Sequence, residues 1–91
     1  MKNYSYPLDD TWTAQEMADV VAFFNVVETA YESRISVKEF LEAYQTFKAI
    51  VPSKAQEKQL DRAFEKVSGY SSYRAIQMAK TSDKGVISLG K

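Results

Sequence analysis

Residues 13–32, TAQEMADVVAFFNVVETAYE, decide the fold. Met17, Val20, Val21, Phe24, Val27 and Tyr31 recur at the three- and four-residue spacing of one helical face, and Phe23, Val26 and Ala30 widen that stripe past half the circumference. A helix apolar over so wide an arc needs neighbours on most of its sides, so it is expected to be the buried central helix of an all-helical fold. Its start is marked beside it. Thr13 and Glu16 have the spacing of a capping box, in which hydroxyl and carboxylate each take up a backbone amide of the first turn. Trp12 and Met17 stand at the two positions of a hydrophobic staple.

The same signals recur downstream. Ser36 and Glu39 form a second capping box, with Ile35 and Phe40 as its staple, and Val37, Phe40, Leu41, Tyr44, Phe47 and Val51 make a narrower stripe that Pro52 ends near Ala49 or Ile50. Ser53 and Gln56 form a third box; the helix behind it turns Leu60, Ala63, Phe64 and Val67 inward and closes at Gly69, the residue best suited to a left-handed cap. Ser71 or Ser72 opens a shorter helix carrying Tyr73, Ile76 and Ala79. The expectation is an all-α, compact, single-domain four-helix bundle over residues 1–91, with helices at 14–32, 37–50, 54–68 and 72–80 and no strand between 14 and 68. Phe24, Phe40, Leu41, Phe47, Leu60 and Phe64 are its expected buried side chains. The tail from Thr81 to Lys91 has two alternatives, docking in extended form or staying mobile.

Composition bounds the chemistry. The chain has 91 residues, 12 basic and 12 acidic, with no Cys and no His. It therefore lacks thiolate and imidazole nucleophiles, bases and metal ligands. At this length folding hides only about 60–65% of the unfolded surface, which leaves little chain for a deep active-site cleft. No catalytic residue, cofactor or metal site is expected. Asp9, Asp10, Glu16 and Asp19 lack the alternating ligands and central Gly of a calcium loop, and Asp9, Asp10 and Glu16 are explained by the positive end of the first helix. Ser53 and Lys54, adjacent at a helix start, point apart and make no catalytic pair. The longest apolar run, Val20 to Phe24, is five residues, so no membrane span is expected; no signal-peptide core precedes it, and the expected location is the cytoplasm.

Charge is balanced overall but not along the chain. Residues 1–45 carry three basic and eight acidic side chains, net −5, and residues 46–91 carry nine and four, net +5. Lys54, Lys58, Arg62 and Lys66 lie four apart on the third helix. That stripe can be a phosphate-tracking ridge for nucleic acid, but Glu57, Asp61 and Glu65 run beside it at the spacing of solvated ion pairs, and a solvated face is the stronger reading. Tyr4, Tyr6, Trp12, Tyr70 and Tyr73 cluster at element boundaries, where a ring either packs internally or meets a partner. The leading expectation is a small interaction or regulatory module that binds an unidentified cytoplasmic protein or itself through Tyr70, Tyr73 and Arg74, with Tyr70 folded back over Phe64 or Glu65 and Tyr73 exposed. The alternative is nucleic-acid association through the Lys54, Lys58, Arg62 and Lys66 stripe together with Arg74, Lys80 and Lys84.

Several segments also carry a family resemblance: Tyr6-Pro7-Leu8 with Trp12, Val20-Val21, Phe23-Phe24, Val27-Glu28 and Ala30-Tyr31-Glu32, then Phe47-Lys48, Ile50-Val51-Pro52-Ser53-Lys54, Glu57-Lys58-Gln59 and Ser68-Gly69-Tyr70-Ser71 with Tyr73. Across about residues 4 to 80 the chain resembles the uncharacterised protein family 0223, the YktA-like proteins of Gram-positive bacteria. The resemblance implies an all-helical single domain and a cytoplasmic address. It brings no activity, cofactor or site residue, and the tail from Thr81 is read as lying beyond the family pattern.

Overall fold

Each helix begins where a hydroxyl can cap it, and this sets the order of the elements. In a computed structural model describing residues 4–90, α1 (Ala14–Glu32), α2 (Val37–Ile50), α3 (Lys54–Ser68) and α4 (Ser72–Thr81) follow N-caps Thr13, Ser36, Ser53 and Ser71. The hydroxyls accept from the amides of Glu16 (3.1 Å), Glu39 (3.0 Å), Gln56 (3.3 Å) and Arg74 (3.2 Å). Among the described residues only Thr13 has the reciprocal arm, its amide donating to Glu16 at 2.9 Å. The second and third boxes are thus half-formed. At Ser53 the reason is visible: the Gln56 amide group donates to Asp9 instead, at 3.2 Å.

The core is one contiguous cluster around α1, whose Val20, Phe23, Phe24, Val27 and Ala30 are fully buried. Phe23 stacks on Phe47 of α2 and Phe24 on Phe64 of α3, each pair with ring centroids 4.5 Å apart. The expected burial holds for Phe24, Phe40, Phe47, Leu60 and Phe64. Two positions are corrected. Leu41 is only partly buried, because Phe40 and Phe47, seven residues apart on one line of α2, fill the central space and leave Leu41 at its margin. Val67 is 43% exposed, because α3 enters the core through Leu60 and Phe64 and its last turn leads away into the Gly69 cap. Gly69 takes that cap at φ 80°, as expected of the residue without a Cβ.

The tail is docked. Val86–Ile87 (β2) pairs antiparallel with Ile35–Ser36 (β1), Ile87 opposite Ile35, both buried. The Val37 amide donates to Gly85 (2.9 Å), the Leu89 amide to Ala30 (2.8 Å) and the Ser88 hydroxyl to Ser33 (2.7 Å). Gly90 lies so close over the Tyr31 carbonyl that any Cβ there would collide with it. This corrects the expectation of a strand-free stretch from 14 to 68: two residues between α1 and α2 pair with the tail, and no helix is interrupted. The Cα radius of gyration, 12.4 Å, matches the roughly 12 Å of a compact chain of this length, which a detached tail would exceed.

Candidate functional site

The last turn of α1 receives the α3–α4 turn. Tyr31 donates its hydroxyl to the Ser71 carbonyl (3.1 Å) and accepts from the Ser71 amide (3.3 Å), while its ring stacks on Tyr70 at 4.7 Å and 11°. The Tyr70 hydroxyl donates to Glu32 at 2.8 Å, and that carboxylate, then burial, raises the phenol's pKa. The Tyr70 ring thus has its stacking partner on α1, which the cap geometry alone did not point to.

Tyr70, Tyr73 and Arg74 consequently do not form one cluster. Tyr70 is part of the α1 seam, whereas Tyr73 is 62% exposed on α4 and Arg74 is exposed beside it. Spacing explains the split. Ser72, Ala75, Ile76 and Ala79 are the buried face of α4, and Tyr73, Gln77 and Lys80 follow one another at i, i+4 and i+7 on a solvent-facing line.

That line borders a groove between α3 and α4 of about 230 Å³, lined by Lys54, Lys58, Tyr73, Ile76 and Lys80, with Tyr44 of α2 beneath. Two acids of α3 complete it, and neither makes a solvated pair with its own helix as their spacing suggested. Glu57 turns to α2, where it accepts from Lys48 Nζ at 2.8 Å and the Tyr44 hydroxyl at 3.1 Å. Asp61, partly buried, accepts from the fully buried Ser72 hydroxyl at the first turn of α4. Burial raises the Asp61 pKa, and the Ser72 bond only partly offsets it. Burial first, and then the Glu57 charge, push the Tyr44 phenol up to about 12. Lys80 places its ammonium 5.6 Å from the centre of the Tyr44 ring, within cation–π range.

The four cations of the α3 stripe, Lys54, Lys58, Arg62 and Lys66, are all exposed, but only Lys54 and Lys58 border this groove. Among the described residues no three His, Cys, Asp or Glu side chains converge as metal ligands. The N-terminal acids are engaged within the fold: Asp9 accepts from the amide (2.9 Å) and hydroxyl (2.8 Å) of Thr11, which lowers its pKa, as well as from Gln56, and Asp19 accepts from Gln15 at 3.0 Å. No helix is long and apolar enough to cross a membrane, among the described residues.

One polar feature escaped the sequence reading. Glu28, 3% exposed, accepts from the hydroxyls of Tyr4 and Tyr6, the latter at 2.9 and 3.0 Å to its two oxygens. The Tyr6 ring stacks on Phe24 at 5.9 Å, so the N-terminal segment is strapped across α1 and α3. The available signal was a carboxylate four residues after Phe24, on the side of α1 that must be buried.

Comparison with known proteins gives this surface no assigned role. The model of the uncharacterised protein family UPF0223 matches residues 3–88, so the family pattern takes in the strand-paired part of the tail that the resemblance had left outside it. Proteins named "UPF0223 protein" from Streptococcus gordonii strain Challis and Streptococcus pneumoniae strain CGSP14 are each 59% identical over 90 residues, 99% of this chain and 98% of theirs. The one from Streptococcus sanguinis strain SK36 is 57% identical with the same coverage. A match along nearly the whole chain, strand-paired tail included, leaves one assignment: the chain belongs to the uncharacterised protein family UPF0223.

Proposed function

We propose that the protein is a small non-catalytic interaction module of the cytoplasm that binds another protein through the α3–α4 surface. The observation that supports this most is Tyr73, a 62% exposed ring on a helix whose apolar face is already used by the core. Tyr and Arg are enriched at binding hot spots, and Arg74 stands next to it. Tyr70 drops out of the interface because its ring and hydroxyl are engaged by Tyr31 and Glu32. The nucleic-acid alternative has four exposed cations in its favour, but only Lys54 and Lys58 of the four border the groove beside Tyr73, and the exposed Glu65 stands beside Arg62 and Lys66, which suits phosphate tracking poorly.

The test is capture from a native lysate by the tagged full chain, beside Tyr73→Ala and Arg74→Ala and with the unfolding midpoint of each measured. A partner protein lost by both variants at unchanged midpoint supports the reading. Retention of the partner by both, or nuclease-sensitive nucleic acid as the principal catch, refutes it.

A further inference from the structure

The groove beside Tyr73 is small. At about 230 Å³ it falls short of the roughly 300–1,000 Å³ of pockets that enclose a cofactor or drug-sized ligand. What it has room for is one large side chain. Its floor is apolar, made of the 3%-exposed Ile76 and the Tyr44 ring, and Tyr73 forms one wall.

Around that floor the charges are ordered. The acids sit low and are engaged internally, Glu57 by Lys48 and Tyr44 and Asp61 by Ser72. The cations Lys54, Lys58 and Lys80 are exposed and approach from two different helices. With Glu57 balanced by Lys48, three exposed lysines stand against the one carboxylate of Asp61, so the rim carries an excess of positive charge around Ile76 and the Tyr44 ring. An incoming group must therefore bring an apolar anchor and negative charge on either side of it, a combination that a duplex, with its bases stacked inside, does not offer and that only an unpaired strand would share with an acidic peptide.

Resting on the reading of the α3–α4 surface as a protein-binding face, we infer that this groove takes an acidic linear segment of the partner protein, with one large apolar side chain seated between Tyr73 and Ile76 and flanking Asp or Glu residues at Lys54, Lys58 and Lys80. Anchor burial supplies most of the affinity; the rim lysines supply selectivity and association rate, and their share weakens with salt.

The experiment selects a phage-displayed library of random dodecapeptides on the immobilised full chain, then titrates synthetic versions of the enriched peptides by fluorescence anisotropy. The expected pattern is a single Leu, Ile, Met, Phe or Trp with two or more Asp or Glu residues close by. Affinity should fall by about tenfold or more in Lys58→Glu, in Tyr73→Ala and when the anchor is replaced by Ala, with the protein's unfolding midpoint unchanged. An enriched pattern that is neutral or basic, no enrichment at all, or a single-stranded oligonucleotide that binds more tightly than every peptide overturns the proposal. So does concentration-dependent self-association in sedimentation that Lys58→Glu abolishes, since the occupant is then a second copy. The two readings fail separately: a lysate partner that needs Tyr73 but is held equally by Lys58→Glu, at low and high salt, refutes the acidic segment and leaves the interaction module standing.

Discussion

Two tyrosines three residues apart should respond to truncation in opposite ways. Tyr70→Ala removes a ring stacked on Tyr31 at 4.7 Å and a hydroxyl that donates to Glu32 at 2.8 Å. Complete burial of an aromatic side chain makes its loss worth roughly 3–5 kcal/mol, and a ring buried on one face forfeits about half of that. The hydrogen bond, exposed to solvent, adds about 0.5 kcal/mol, so the total is about 2–3 kcal/mol. A chain of this size holds roughly 5–14 kcal/mol in all, and each kcal/mol moves its melting temperature by about 4–8 °C. The expected drop for Tyr70→Ala is therefore on the order of 10–20 °C. Tyr73→Ala, at a side chain 62% exposed, should stay within about 0.5 kcal/mol of the parent. Urea titrations followed by circular dichroism measure both, and Tyr70→Phe isolates the hydroxyl at about 0.5 kcal/mol. Equal losses for Tyr70→Ala and Tyr73→Ala, or a Tyr70→Ala loss below about 0.5 kcal/mol, would refute the separation of a structural ring from a surface ring on which the functional reading depends.

Other parts of the molecule give equally definite expectations. Phe24→Ala, at a fully buried ring stacked on Phe64, should cost about 3–5 kcal/mol in the same titration, and a loss under 1 kcal/mol would contradict its central place. Ile87→Asp puts an unpaired carboxylate into a site 3% exposed; the tail should detach, seen as rapid hydrogen exchange at the Val37 and Leu89 amides while the buried amides of α1 stay protected. The phenols of Tyr6 and Tyr44 are both pushed up to about 12, chiefly by burial, and those of Tyr4 and Tyr70 are also raised. A raised folded-state value means the native chain holds these protons more tightly than the unfolded one, so the stability they contribute is complete below about pH 10 and is lost as pH rises toward 12. Denaturant midpoints that do not move between those two pH values would refute it.

Most of the helical frame was legible because its signals are local. A hydroxyl three residues ahead of an amide, a Pro that expels its predecessor from the helix, and a Gly that accepts positive φ each act within one turn, so Thr13, Ser36, Ser53, Pro52 and Gly69 set their boundaries whatever lies across the core. The breadth of the α1 stripe likewise announced a helix with neighbours on several sides. The candidate site was legible only in part. Tyr73 was expected at the surface and is there, but its separation from Tyr70 depends on where the end of α1 meets the α3–α4 turn, which neither segment encodes alone.

The sequence by itself determined four helices, their caps and the large buried rings, since periodicity states which side of each helix is apolar. Only the tertiary structure decided which apolar side meets which, and with that every feature that needs two distant segments at once. Ile87 finds Ile35, Glu28 receives Tyr4 and Tyr6, and Asp61 receives Ser72, across separations that leave no local period to detect. A two-residue strand is too short to carry an alternation, and a carboxylate three residues after a lysine looks the same whether it faces water or a neighbouring helix. The groove beside Tyr73 belongs to this second class: α3 supplies Lys54 and Lys58, α2 supplies Tyr44, α4 supplies Ile76 and Lys80, and it exists only once stacked rings have set α2 and α3 against α1 and α4 has packed beside them.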